Sequence, residues 1–502
     1  MTRPSRRDGA LVPATARTDS STVWIALPPV ILTAVVTMIG IGSRSLWNDE
    51  YATWRAATLS FGGLIQRVRH IDAVIAPYYV GMHGWVELAG ISPTALRFPS
   101  LLAMAVSAGL LALVGRRLFD AGVGLCAGLA FGLLPMVSRY GQEARPYAFA
   151  MGGVILATLL LLRAIEGASW RRWVLYGCAV FFVGAMNIVA VTVLAAHAVL
   201  LVHEFASHRR TAVLRWIVVV AVALVGLSPF VIEGSRQSFA IDWIQGGPAA
   251  LRRLPVNLFG TAGLAFTLMA LAGVAAVVRW RGERGAVVLL VVWALFPPAF
   301  TYVTFPVLHA FLSRYLLFTL PAWVLLAAAL VGAVARRIHP TSRRVFGGVT
   351  AALLLTIAVV GLPAQVDVRQ NPLANEPDFH RAAAIVESHR EAGDAIVFTG
   401  TRRNGRRSFA YEHAIGVIGT PRDVLLGPGG AARFRVRECA PAESCLAGVQ
   451  RIWVVYSGGG PHGMYAALSD AATRVLTRDF TQVTFARGQG FTILRLDRRA
   501  SP

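Results

Sequence analysis

Apolar runs near the length of a membrane crossing recur along the chain, and short arginine-bearing loops separate them. A helix needs ~20 predominantly apolar residues to span a bilayer, about twice the length of a barrel strand. Lipid offers the backbone no hydrogen-bond partners, so runs of this length can only be helices. The runs are Val23–Ile41, Leu96–Val114, Ala121–Val137, Ala148–Leu162, a tight pair across Trp173–Val202, Trp216–Ile232, Leu258–Val278, Ala286–Val303, Tyr315–Val334 and Val345–Leu362. Placed alternately, they put the clusters at Arg116, Arg171, Arg209, Arg279 and Arg336 with Arg343 on one side. That bias marks the cytoplasmic side. The expected organisation is a disordered cytoplasmic tail (1–22), a transmembrane domain (23–362) whose first external loop is 43–95, and an extracytoplasmic domain (363–502).

Charge excludes several classes of function. A net charge of +22 could suggest nucleic acid, but the arginines sit in short loops between apolar runs, so no nucleic-acid partner is expected. All 48 basic residues are arginine. Without lysine there is no phosphate-loop lysine, Schiff base or Ser-Lys dyad.

The tail reads as a small α/β sandwich. Asp378–Glu391 and Met464–Leu476 have helical patterns, and Ala395–Phe398 and Ile452–Tyr456 read as buried strands. Gln482–Ala486 and Phe491–Leu496 flank a glycine-containing turn and read as a hairpin. Cys439 and Cys445 lie close enough for a loop disulfide, which would need an oxidising exterior. Cys126 and Cys178 lie within apolar runs. Gly458–Gly463 satisfies a dinucleotide-binding pattern, but an external compartment and the absence of a downstream acid argue for a plain turn.

Three stretches could carry chemistry. Leu46-Trp47-Asn48-Asp49-Glu50-Tyr51 places two carboxylates just outside the first apolar run. A carboxylate there can act as a general base toward an alcohol, although an acidic pair is also what a solvated helix end contains. Arg139–Tyr147 crowds Arg145, Gln142, Glu143 and Tyr147 into one external loop. Arginine suits a phosphate because its charge is permanent and its donors form a fork; the alternative is an interfacial aromatic and basic belt. His309–Tyr315 brings His309, Arg314 and Tyr315 to a further outer junction, where Arg314 opposes the general charge bias. Asp72, Tyr78, Tyr79 and His83 in the first loop are candidate substrate contacts. No ligand spacing requires a metal; a divalent cation is left possible.

These residues carry a resemblance. Leu-Trp-Asn-Asp-Glu after the first helix, Pro77-Tyr78-Tyr79 followed by His83 and Trp85, Leu96-Arg97-Phe98-Pro99-Ser100, and Arg139-Tyr-Gly-Gln-Glu-Ala-Arg-Pro-Tyr-Ala148 resemble GT-C glycosyltransferases of the protein mannosyltransferase-like family 39. In bacterial members the first loop often reads Asp-x-His-Pro-Pro-Leu-Tyr-Tyr; here it is Asp72-Ala-Val-Ile-Ala-Pro-Tyr-Tyr, without the histidine. The resemblance implies a GT-C-like bundle of about eleven transmembrane helices carrying an extracytoplasmic α/β domain. It implies an inverting glycosyltransferase of the cell membrane that moves a sugar, mannose or arabinose, from a polyprenyl-phosphate lipid to a hydroxyl acceptor. The acceptor could be a glycan, a lipid or a protein. Asp49 would be the base, with Glu50 supporting it, and Arg145 and Arg314 would converge on the donor phosphate near Asp49. A flippase of lipid-linked saccharides is the alternative. It would need polar groups inside its helices, and the apolar runs hold few.

The topology has a direct check. A single cysteine placed in the tail, on a background lacking the four native ones, is expected to react with an impermeant maleimide in intact cells. Labelling only after lysis would reverse the trace.

Overall fold

The structure, a computed structural model, describes residues 21–167, 169–206, 210–370, 376–400, 402–427, 437–457, 465 and 468–500. Gly458–Gly463 lies outside these residues. Two compact units emerge: residues 1–41, 71–80 and 97–368 form the first, and 42–70, 81–96 and 369–502 the second.

The first unit is helical. Among the described residues, seven helices are long and apolar enough to cross a membrane, or eight if one bent pair is a single span. The first helix (Ser21–Met38) and Ile188–Val202 are apolar but shorter. The run expected over Ala121–Val137 is two helices, Ala121–Gly132 and Pro135–Gly141, bent by 63°. Pro135 has no N–H to continue the ladder, so the break falls at the residue before it. The run expected from Leu258 starts later, at Ala262, because Gly260 adopts a positive φ of 96° and ends the preceding helix Pro248–Phe259.

Packing separates a centre from a periphery. The helix Ser313–Ile338 is 89% buried over its apolar window, whereas Arg343–Asp367 is 17% buried. Exposed Val225, Phe266 and Val277 lie on the outside of long helices, as expected of a surface facing hydrocarbon. Helices Pro93–Leu118 and Ala121–Gly132 touch backbone to backbone, since a Cβ on Gly124 would lie 2.2 Å from the carbonyl oxygen of Ala112. Small residues permit this approach where apolar surroundings provide no hydrophobic drive. His197 is fully buried between helices. Its Nε2 lies 3.1 Å from Thr158 Oγ1 and its Nδ1 3.0 Å from the Tyr176 hydroxyl, which also accepts from Trp216. Thr158 donates to the carbonyl of Val154, so its oxygen accepts from His197 Nε2–H.

The second unit contains a five-stranded sheet: β1 (Ala395–Gly400), β2 (Arg422–Asp423), β3 (Arg451–Ser457), β4 (Phe480–Gly488) and β5 (Phe491–Arg498), ordered β2-β1-β3-β5-β4. β1 is parallel to both neighbours, which explains its unbroken apolar run; β5 is antiparallel to β3 and β4. Trp453 is buried, and its Nε1–H donates to Asp394, which also receives Arg451. Cys439 and Cys445 form a disulfide.

Two elements differ from the sequence reading. Met464 lies outside the described residues, and the helix expected from it is described over Asp470–Asp479, where Ser469 accepts the N–H of Ala472. Arg402–Ala414 is a helix that the sequence reading did not contain. Its pairs of arginines mask a helix whose buried Phe409 and Tyr411 point to different sides, toward Phe398 and toward Tyr51 and Trp54.

Gly490 turns the β4–β5 hairpin at φ +70°, and a Cβ there would lie 2.7 Å from Pro377 Cα. Gly490→Ala combines a disfavoured φ with a clash against backbone, a cost of roughly 1–3 kcal/mol. It is expected to lower the thermal midpoint of the full chain in detergent, whereas Gly393→Ala, with φ +91° but no clash, should lower it less.

Candidate active site

In the second unit the acidic pair opens a helix, Asn48–Ala57. Asp49 and Glu50 occupy its first turn and Arg55 its last, the arrangement that the helix dipole favours. Asp49 is partly exposed, while Glu50 is fully buried. The Glu50 carboxylate accepts the backbone N–H of Trp47 at 3.4 Å, closing the helix start in the manner of a capping box. One acid of the pair thus serves the helix start, and the other is only partly exposed, with its Oδ2 buried.

The rest of this helix is embedded in tail residues. Tyr51 is fully buried and donates its hydroxyl to Glu412 Oε1 at 3.1 Å. Burial, and then the Glu412 charge, push its phenol well above the ordinary range, so it stays a donor. The other Glu412 oxygen, Oε2, receives His380 Nδ1 at 2.7 Å. This hydrogen bond raises the His380 pKa above its usual value, against an opposing effect of burial. Tyr51 meets Phe379 and Tyr411 edge to face at 6.3 and 5.5 Å, and Trp54 meets Tyr411 at 5.3 Å. Arg407 donates to the Asn48 carbonyl at 2.9 Å, and Ser45 to Asp378 at 3.2 Å. His83 meets the far end of the helix, with Nδ1 2.8 Å from the Ala57 carbonyl and Nε2 3.6 Å from Glu87.

The arginine candidates lie in the first unit. Arg145 donates to the Tyr79 hydroxyl at 3.3 Å, and Tyr79 donates to Asp72 at 3.0 Å. The Arg145 guanidinium also lies 5.9 Å from the ring of Tyr147. Tyr147 in turn is 6.1 Å from Tyr315, over whose ring Arg314 sits at 6.0 Å. Arg145 and Arg314, 169 residues apart in sequence (314 − 145), are therefore gathered about one pair of phenols. Trp243 covers the other side of Arg314 at 5.3 Å, and Tyr140 meets Tyr147 edge to face. Cation–π contacts of this kind hold a guanidinium in place without neutralising it. Tyr78 packs between Tyr79 and Phe149. His309 adopts φ 48° and lies against Phe305.

Other candidates contact protein groups. Gln142 is buried, and its amide donates to the carbonyls of Thr37 and Ile39, both at 2.7 Å, where the first helix ends. Glu143 is buried in an ion pair with Arg139. The structure thus surrounds Gln142 and Glu143 with protein groups, a placement that loop composition cannot distinguish from substrate contact. Sequence reasoning missed Glu412, His380 and Arg407 altogether. They lie 320 or more residues from the acidic pair, in segments with no local signal beyond charge. Among the described residues, no three His, Cys, Asp or Glu side chains are grouped to hold a metal.

Residues 78–232 match the family described as dolichyl-phosphate-mannose-protein mannosyltransferase. No curated protein sequence matches the chain. Among solved structures, ArnT from Cupriavidus metallidurans in the apo state is similar over 95% of this chain and 98% of its own, with 15% identity and a TM-score of 0.59. The same protein bound to undecaprenyl phosphate gives 15% identity, the same coverage and a TM-score of 0.58. The apo oligosaccharyltransferase of Archaeoglobus fulgidus is similar over 78% of this chain and 64% of its own, at 10% identity and a TM-score of 0.54. At such identities the likeness establishes the fold.

Gln142 gives a test of packing against substrate contact. Gln142→Leu removes the donor that the carbonyls of Thr37 and Ile39 share, the first of them in a buried bond, at a cost of roughly 1–3 kcal/mol. The variant is expected to lose thermal stability in detergent in the absence of any substrate; an unchanged midpoint would return Gln142 to the substrate site.

Proposed function

We propose that this membrane glycosyltransferase of GT-C fold takes its sugar from a polyprenyl-phosphate lipid and transfers it, with inversion, to a hydroxyl acceptor on the extracytoplasmic face. The enzyme class rests on the family match over residues 78–232 together with the fold. One observation carries the donor reading: Arg145 and Arg314, from distant loops, converge on Tyr147 and Tyr315. Two permanently charged forks on an aromatic platform suit a phosphate and have no evident use toward a neutral sugar alone. ArnT, the similar protein, has been seen with undecaprenyl phosphate.

In this reading Asp49 accepts the proton of the acceptor hydroxyl as its oxygen attacks the anomeric carbon. The bond from that carbon to the phosphate oxygen breaks, and the electron pair leaves with polyprenyl phosphate. Phosphate needs charge stabilisation rather than protonation, which is the part assigned to Arg145 and Arg314. Tyr79 and Asp72 orient Arg145, and Glu50 holds the start of the Asp49 helix. Mannose or arabinose on the donor is the reading retained, and no step requires a metal. The Cys439–Cys445 disulfide supports an oxidising compartment, hence an extracytoplasmic tail and active site at the cell membrane.

The reading has a direct test. Purified protein with undecaprenyl-phosphate mannose or arabinose and a hydroxyl acceptor should release free undecaprenyl phosphate; movement of intact lipid without release would make the protein a flippase. Asp49→Asn should lower turnover by ~10²–10⁴-fold with donor binding retained. Arg314→Lys should weaken donor binding and Arg314→Ala should weaken it more, because an ammonium lacks the fork. Wild-type turnover in Asp49→Asn would remove the base assignment.

A further inference from the structure

The Asp49 helix is not held by its neighbours in sequence. Within its unit, Tyr51 and Trp54 are clasped by Phe379 and Tyr411, and Arg407 holds the carbonyl of Asn48, next to Asp49 itself. At the centre of this contact lies Glu412, 1% exposed, with one carboxylate oxygen on the Tyr51 hydroxyl and the other on His380. A buried carboxylate with two donors is stable only while both donors stay in place, so removing either disturbs the whole contact.

We propose that Glu412 and His380 are positioning residues for the transfer reaction: through Tyr51 they fix the helix that presents Asp49, and the protonation of His380 adjusts how firmly it is fixed. This rests on the assignment of Asp49 as the base. His380 reaches solvent, with 47% of its side chain exposed, so its charge follows the outside pH. The charged and titratable groups facing it are Glu412 on helix Arg402–Ala414, Asp378 at the start of its own helix, and Tyr51 across Glu412. Both acids favour the imidazolium. Its folded pKa is raised, so the protonated pair contributes fully below pH 6.5 and is lost as pH rises through the folded value. Glu412 touches no reacting atom in this scheme. Its influence is on where Asp49 stands, and so on turnover rather than on donor affinity.

The experiment uses the full chain in nanodiscs and two readouts. The first is hydrogen exchange of the Asp49 helix, corrected for intrinsic rates. Tyr51→Phe and Glu412→Gln should each lower protection there by about tenfold or more, the scale of a lost bond to a buried charge. Tyr51→Phe keeps the ring packing, so it stands if Glu412→Gln does not fold. The second is release of undecaprenyl phosphate from undecaprenyl-phosphate mannose against pH. In wild type, kcat should fall by about threefold through the His380 transition, the scale of a half-exposed pair, with KM for the donor unchanged. His380→Gln should remove that limb and hold kcat at the alkaline level throughout. Unchanged protection in Tyr51→Phe, an alkaline limb that persists in His380→Gln, or kcat and KM changing together would overturn the proposal. If wild type releases no undecaprenyl phosphate, the functional reading fails, and the pH dependence of exchange in wild type and His380→Gln alone decides whether the helix is held in this way.

Discussion

A helix that ends inside an apolar bundle leaves carbonyls with no water to bind, and side chains must supply the missing donors. Much of the polar content of the helical unit answers that need. Gln142 closes the first helix at Thr37 and Ile39, and Arg97 donates to Ile41 just beyond it. Trp293 donates to Phe318, Gln365 to Leu133 and Asn187 to Tyr315. Each of these donors sits beside a helix end, a bend or a 3-10 segment. The breaks in turn let the short loops between helices hold side chains such as Arg145, Tyr147, Arg314 and Tyr315 in one cluster.

This need divides the polar side chains of one loop into two kinds. Between Arg139 and Tyr147, Gln142 meets backbone carbonyls and Glu143 an arginine, whereas Arg145 meets phenols, donating to Tyr79. The same division runs through the acidic pair, where Glu50 closes its own helix and Asp49 stays partly exposed. Neighbouring residues of like chemistry can therefore have opposite duties, and which is which depends on helix phase and on what lies opposite.

The second unit shows a different economy. Its sheet is stabilised by burial of Val397, Trp453, Val454 and Leu494. Residues 42–70 use the tail: Tyr51, Trp54 and Asn48 all find their partners on Phe379–His389 or Arg402–Ala414. A short, polar helix such as Asn48–Ala57 has too little apolar surface to order itself, so tertiary contacts hold it. The tail thereby acts as a support for the candidate base.

By itself, the sequence determined the helical membrane class, the apolar runs, the main strands of the tail and the residue types able to meet a phosphate. Apolar length, strand alternation and the permanent charge of arginine are local properties, readable over ten to twenty residues. The run Ala121–Val137 read as continuous, and the 63° bend at its break before Pro135 came from the structure. Only the tertiary structure decided that Arg145 and Arg314 share one aromatic platform, that Gln142 and Glu143 face protein groups, and that Glu412 meets both Tyr51 of the Asp49 helix and His380. Apart from Glu143 with Arg139 and Glu412 with His380, these contacts join residues more than 100 positions apart, and no periodicity along the chain encodes which distant side chain completes a hydrogen bond. Partners of that kind are fixed by packing, where the only rule is that a buried polar group must be met.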